Sequence, residues 1–160
     1  MDRFADIRPY RDSEVGVVIS RLLEDVDFLD TVARFSWPRL ATYLPAVLRF
    51  VIKKRLRQQT RAVDSVPSMQ AVIAKYMEKI VKETTTSLTH SGLESLTIGR
   101  NYLFISNHRD IVMDPALVNY VLYCEGHDTL QIAIGDNLLK RPFVSDLMRL
   151  NRSFIVKRSA

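Results

Sequence analysis

From Asp12 onward, apolar residues fall at Val15, Val18, Ile19, Leu22, Leu23 and Val26. Steps of three and four place them on one face of a helix, and Asp12 is suited to cap its start. The spacing returns at Met69, Val72, Ile73, Tyr76, Met77 and Ile80, with Ser68 as the capping residue. The β-branched run Thr84-Thr85-Thr86 weakens that second helix and predicts its end. Both stripes read as faces that pack into a core. Between them, Leu40 to Arg57 carries Tyr43, Leu44, Val47, Leu48, Val51 and Ile52 into a basic run, with Trp37 just ahead. One amphipathic helix is predicted there. It either packs on the domain or lies at a membrane interface, with the aromatic as anchor and the basic end toward headgroups.

Gly92 marks a turn, and beyond it the pattern changes. Tyr102 to Ser106 reads as a buried strand, and Pro115 to Cys124 as a helix with Asp114 at its N-cap and Pro115 at its first position. Leu130 to Ile134 reads as a second strand closed by Gly135, Phe143 to Leu150 as a helix, and Phe154-Ile155-Val156 as a third strand ending in Lys157-Arg158. The alternation predicts an α/β sheet with parallel neighbours. The fold class is therefore α/β: a helical region over residues 1–90, then an incomplete α/β domain of about three strands over residues 91–160.

Composition narrows the function classes. With 160 residues, 47% apolar and 26% charged, the chain is long enough for one domain with a sizeable core. A single cysteine, Cys124, excludes a disulfide framework and a cysteine-based zinc cluster, and its apolar helix makes it a small core residue. His90, His108 and His127 are dispersed without metal-ligand spacing, so no metal is expected. The first residues lack the apolar core and cleavage site of a secretory signal, so a reducing cytoplasmic setting is expected. The longest apolar region, Trp37 to Ile52, holds Arg39, Arg49 and two prolines, and falls short of the roughly 20 apolar residues of a spanning helix.

The net charge is +5, and its placement matters more than its size. Between Asp30 and Asp64 there is no acid, while Arg34, Arg39, Arg49, Lys53, Lys54, Arg55, Arg57 and Arg61 crowd the interval. Such a block attracts an anionic surface. No nucleic-acid module or aromatic stacking platform accompanies it, so nucleic acid is not an expected partner.

The densest candidate chemistry is Ser106-Asn107-His108-Arg109-Asp110-Ile111-Val112-Met113-Asp114-Pro115. A histidine where a strand turns into a helix, with carboxylates just behind it, suits a general base whose tautomer is fixed by a carboxylate partner. Two further pieces follow: Gly135-Asp136-Asn137-Leu138-Leu139 with Pro142-Phe143, and Phe154-Ile155-Val156-Lys157-Arg158-Ser159. In this order and spacing, the three resemble the motifs of the glycerophospholipid acyltransferase superfamily, from about Gly92 to the last residue. That family's signature is His, four residues, then Asp. Here Met113 stands at that place, Asp114 follows one residue later, and Asp110 comes earlier. Asp114 is favoured as the partner of His108, with Asp110 as the alternative. An Asp before Pro at a helix start is also a cap whatever its chemistry.

The resemblance implies that His108 takes a proton from an acceptor hydroxyl, whose oxygen attacks an acyl thioester of acyl-CoA or acyl-carrier protein. It implies no further cofactor and no covalent enzyme intermediate. Arg158, with Lys157, stands where relatives hold the acceptor's phosphate. Gly135 and Asn137 shape the turn lining the site, and Asn107 orients the histidine loop. The function implied is acyl transfer to a phosphate-bearing glycerol or lysophospholipid; with the basic block, the expected place is the cytoplasm, peripherally at the inner (plasma) membrane, with anionic lipid as a partner. The family's third block, a Glu-Gly-Thr-Arg-like turn, and its fourth, apolar-Pro block are not in this sequence. The chain is thus expected to be the N-terminal portion of a longer enzyme, with its last strand exposing an edge. The alternative is a membrane-binding module without catalysis.

Overall fold

The computed structural model describes residues 2–158; Ser159, the last residue of the third motif, lies outside them. Among these residues seven α-helices and two short strands follow one another. They are α1 (Asp12–Glu24), α2 (Val26–Ser36), α3 (Pro38–Tyr43), α4 (Pro45–Gln59), α5 (Val66–Thr84), α6 (Met113–Cys124), β1 (Ala133–Gly135), α7 (Pro142–Leu150) and β2 (Phe154–Val156). The molecule is mostly helical with a small parallel sheet, consistent with a helical region followed by an incomplete α/β domain.

The stripe on α1 forms as its spacing predicts. Val15, Val18, Ile19, Leu22 and Leu23 are buried in one cluster with Val63 and with Phe143 and Leu150 of α7. The helical region and the last helix therefore share a core. Val26 is not part of that stripe: it opens α2 and is exposed. A second cluster joins Leu29 and Ala33 of α2 to Leu48 and Ile52 of α4.

The helix starts differ from expectation. The N-cap of α1 is Arg11, whose N–H donates to Glu14 Oε2 at 2.7 Å. Asp12 instead accepts from the N–H of Val66 at 2.7 Å, so it ties the start of α1 to the start of α5. Ser65, not Ser68, caps α5; Ser68 sits at the third position and accepts from the Ser65 N–H in return. A reciprocal pair of this kind satisfies two orphan donors, and sequence spacing alone did not decide which serine leads. The Leu40–Arg57 segment is not one helix. Pro45 has no N–H to continue the ladder, so the chain breaks at Leu44 and restarts as α4. Trp37 is half-buried against the second cluster rather than free as an anchor.

Tyr102 to Ser106 forms no strand, and every residue from 101 to 112 is exposed. A strand exists only through a partner's ladder, and this apolar run pairs with neither β1 nor β2. The sheet thus has two strands rather than three, in parallel register Ala133↔Phe154, Ile134↔Ile155, Gly135↔Val156. The strand expected over Leu130–Ile134 is shifted and shortened to Ala133–Gly135. The outer edge of β2 is not bare, because Ile155 N–H donates to the carbonyl of Ile7 at 2.8 Å. The N-terminal segment runs along that edge and is fastened by Lys157 to Asp6 at 2.5 Å.

Cys124 is exposed, not a core residue. It ends α6, whose buried positions are Asn119 and Leu122, and it lies off that stripe.

Candidate active site

The α6 start carries the histidine loop. The helix begins at Met113 with Val112 at its N-cap, so neither the expected cap at Asp114 nor Pro115 at the first position is seen. The loop's carboxylates hold it from within. Asp110 Oδ1 accepts from the N–H groups of Val112 and Met113 at 2.8 and 2.9 Å, supplying the acceptor that Val112's own side chain lacks. Asp114 Oδ2 reaches back to the N–H groups of Arg109 and Asp110 at 2.7 and 3.0 Å. That same oxygen lies 4.0 Å from His108 Nδ1, longer than a hydrogen bond and within ion-pair range. No ion pair between His108 and Asp110 occurs among the described residues. Asn107 is exposed, and its side chain makes no hydrogen bond among them.

Both carboxyls are held below the usual aspartate value of 3.8. For Asp110 the Met113 and then the Val112 N–H are the main causes; for Asp114 they are the Asp110 and then the Arg109 N–H. A carboxyl whose folded value is depressed stabilises the loop above its unfolded value, and that stabilisation is lost as pH falls through the folded value. The amide resonances of Arg109, Asp110, Val112 and Met113 are therefore expected to hold steady from neutral pH to about pH 4 and to move only below it. A loop transition near neutrality in an NMR titration would contradict these bonds.

The second group lies where the two strands end. Arg158 N–H donates to Asp136 Oδ1 at 3.3 Å. A Cβ on Gly135 would fall 2.5 Å from Asn137 Oδ1 and 3.0 Å from Arg158 Nε. Only glycine lets the Arg158 guanidinium and the Asn137 amide approach the end of β1 this closely. A fork of N–H donors at the carboxyl ends of parallel strands suits a phosphate or carboxylate. Lys157 points to Asp6, whose carboxyl is lowered chiefly by that hydrogen bond.

The structure thus brings His108 to Asp114, and Arg158 to Gly135 and Asn137. Among the described residues no hydrogen bond or ion pair joins His108 or Asp114 to Arg158, Gly135 or Asn137. Neither of the two hollows described here is lined by them. A groove of ≈ 300 Å³ is lined by residues including Leu88, His90, Tyr120 and Cys124. A cavity of ≈ 20 Å³ between α5 and α6 is lined by residues including Gln70, Met77, Asn119 and Thr129. Asn119 Oδ1 accepts from Leu130 N–H, while its buried Nδ2 has no protein partner. Sequence reading gave Asn119 no role, because a polar residue inside an apolar helix carries no motif. Among the described residues no group of three or more His, Cys, Asp or Glu side chains is set to hold a metal ion.

Residues 87–160 match the family model described as Acyltransferase. The match covers both groups of candidate residues and is consistent with the glycerophospholipid acyltransferase superfamily over that part of the chain. It supports acyl transfer in general as the chemistry of that part of the chain. No match was found among curated proteins or among solved structures. No helix among the described residues is long and apolar enough to cross a membrane.

Proposed function

We propose that this protein transfers a fatty acyl group from an acyl-CoA or acyl-carrier-protein thioester to the hydroxyl of a phosphate-bearing glycerol or lysophospholipid, in phospholipid synthesis or remodelling. The observation that carries this reading is the approach of His108 to Asp114 inside the segment that matches the acyltransferase family. His108 takes the hydroxyl proton as the oxygen attacks the thioester carbonyl. The C–O bond forms, the C–S bond breaks, and the imidazolium returns its proton to the leaving thiolate. Asp114 stabilises the imidazolium while its backbone bonds fix the loop. The donor arrives already activated as a thioester, so the residues need no further cofactor. Arg158, seated over Gly135, would hold the acceptor's phosphate, with Lys157 adding charge beside it. Acyl chains and lysolipids concentrate at bilayers, so the reaction would run peripherally at the cytoplasmic face of the inner membrane.

The test is thioester release by this protein with acyl-CoA and acyl-carrier-protein donors and acceptors with and without phosphate. Turnover that needs a phosphate-bearing acceptor supports the reading; no turnover with any pair sinks it. Arg158→Ala is expected to raise KM for the phosphorylated acceptor about thirtyfold, the cost of one charge-assisted contact, with kcat little changed. An unchanged KM would remove Arg158 from the site.

The full exposure of residues 101–112 favours a second reading, a membrane-binding module without catalysis. Under it, vesicle binding persists while no thioester is consumed.

A further inference from the structure

Helix α4 is apolar on two sides. Leu48 and Ile52 are buried against α2, and Leu56 continues that stripe. A second stripe, Leu44, Val47, Phe50 and Val51, follows the same spacing of three and four along another face and is bare. Phe50 is 70% exposed, and on the preceding helix Tyr43 is 81% exposed, with exposed Leu40 three residues before it. Aromatic and aliphatic side chains left out together on adjoining helices form a patch of the kind that marks an interaction surface.

The charges around this face say what covers it. Arg49 is held by Asp30 at 2.5 Å, and Lys53 and Arg57 by Glu24 at 2.5 and 3.6 Å. The acids that pair with α4 are thus Glu24 of α1 and Asp30 of α2. Lys54 lies on the bare stripe, three residues beyond Val51, and Arg55 follows it. Both are exposed, and with Arg39 of α3 they enter no ion pair among the described residues. No acid occurs between Asp30 and Asp64 to repel an anion. An apolar stripe continued by unpaired cations is complementary to a surface that is greasy within and negative at its boundary.

We propose that this face of α4, with the end of α3, seats on an anionic lipid bilayer. Val47, Phe50 and Tyr43 enter the boundary between headgroups and acyl chains, and Lys54, Arg55 and Arg39 meet lipid phosphates. The choice of occupant rests on the acyltransferase reading above, but the face can be tested without any turnover.

The test is co-sedimentation of the full chain with vesicles of phosphatidylcholine alone and of phosphatidylcholine with phosphatidylglycerol, together with light scattering of the lipid-free protein. Binding is expected to be at least about tenfold stronger to the anionic vesicles and to weaken with added salt. Phe50→Asp, Val47→Asp and the double variant Lys54→Glu/Arg55→Glu should each reduce it about tenfold, with helical circular dichroism unchanged because all four positions are exposed. Absence of vesicle binding by the unaltered chain overturns the proposal, and so does binding that none of the variants weakens. A lipid-free dimer that Phe50→Asp dissolves, without vesicle binding, would assign the face to a second copy of the chain. Loss of thioester turnover with vesicle binding intact would leave this proposal standing and remove the acyltransferase reading alone.

Discussion

Replacing His108 with alanine is expected to lower kcat/KM for the acyl transfer about a thousandfold, the middle of the range that a positioned general base supplies. The expectation rests on there being no substitute. His90 lies near Glu125, at 3.6 Å, and His127 in a polar turn; neither shares the His108 loop. The two aspartates then separate by what their oxygens do. Asp110 Oδ1 accepts from Val112 and Met113 N–H, and the amide oxygen of asparagine can accept the same bonds. Asp110→Asn is therefore expected to keep most of the activity. Asp114→Asn can keep its bonds from Arg109 and Asp110 but loses the charge 4.0 Å from His108, the charge that steadies an imidazolium. It is expected to cost kcat about tenfold or more while substrate binding changes little. Steady-state kinetics on the three variants decides the matter. Full activity of His108→Ala would end the general-base mechanism. Asp110→Asn as the more damaging change would move the partner role to Asp110.

The parts of this fold legible in the sequence are those that local pattern determines. The α1 stripe, the end of α5 at Thr84 and the limits of β2 all follow from spacing, β-branching or a short apolar run between polar residues. What the sequence hid was pairing. Tyr102 to Ser106 has strand composition, yet whether it is a strand depends on a neighbour elsewhere in the chain. The edge of β2 that seemed open is taken by Ile7, in a segment with no strand pattern at all. The shared core has the same character, since nothing in the periodicity of α1 or α7 says that they meet. In the site, the motifs pointed to Arg158 and Gly135, but the close approach that requires glycine is a contact across two strands. Asp110 and Asp114 were visible as acids, while the backbone groups they hold became apparent only with the loop's conformation.

Asp146→Ala is expected to destabilise the fold by about 3 kcal/mol, the lower end of the cost of stripping one member from a buried ionic cluster. Asp146 is 8% exposed and accepts from Arg21 Nε and Nη2, both at 2.7 Å, and from the Tyr10 hydroxyl at 2.6 Å. Burial and this bond push the Tyr10 phenol above its usual range, so it remains a donor across the working pH range. Arg149, also 8% exposed, donates to the Tyr10 oxygen and to the carbonyls of Arg8 and Ala5, and its guanidinium lies 4.1 Å from the centre of the Tyr10 ring. Removing Asp146 leaves the Tyr10 hydroxyl without its acceptor and the exposed Arg21 guanidinium without its ion-pair partner. Arg21 can turn to water, which keeps the cost toward the lower end. The same cluster clamps the N-terminal segment to α7 and so holds Ile7 against the edge of β2. Asp146→Asn keeps one acceptor and should lose roughly half as much. For a domain of this size, 3 kcal/mol corresponds to a Tm lower by about 9 °C. Thermal unfolding followed by circular dichroism measures it. A change under about 1 kcal/mol for the alanine variant would mean that the N-terminal segment is not held by this cluster.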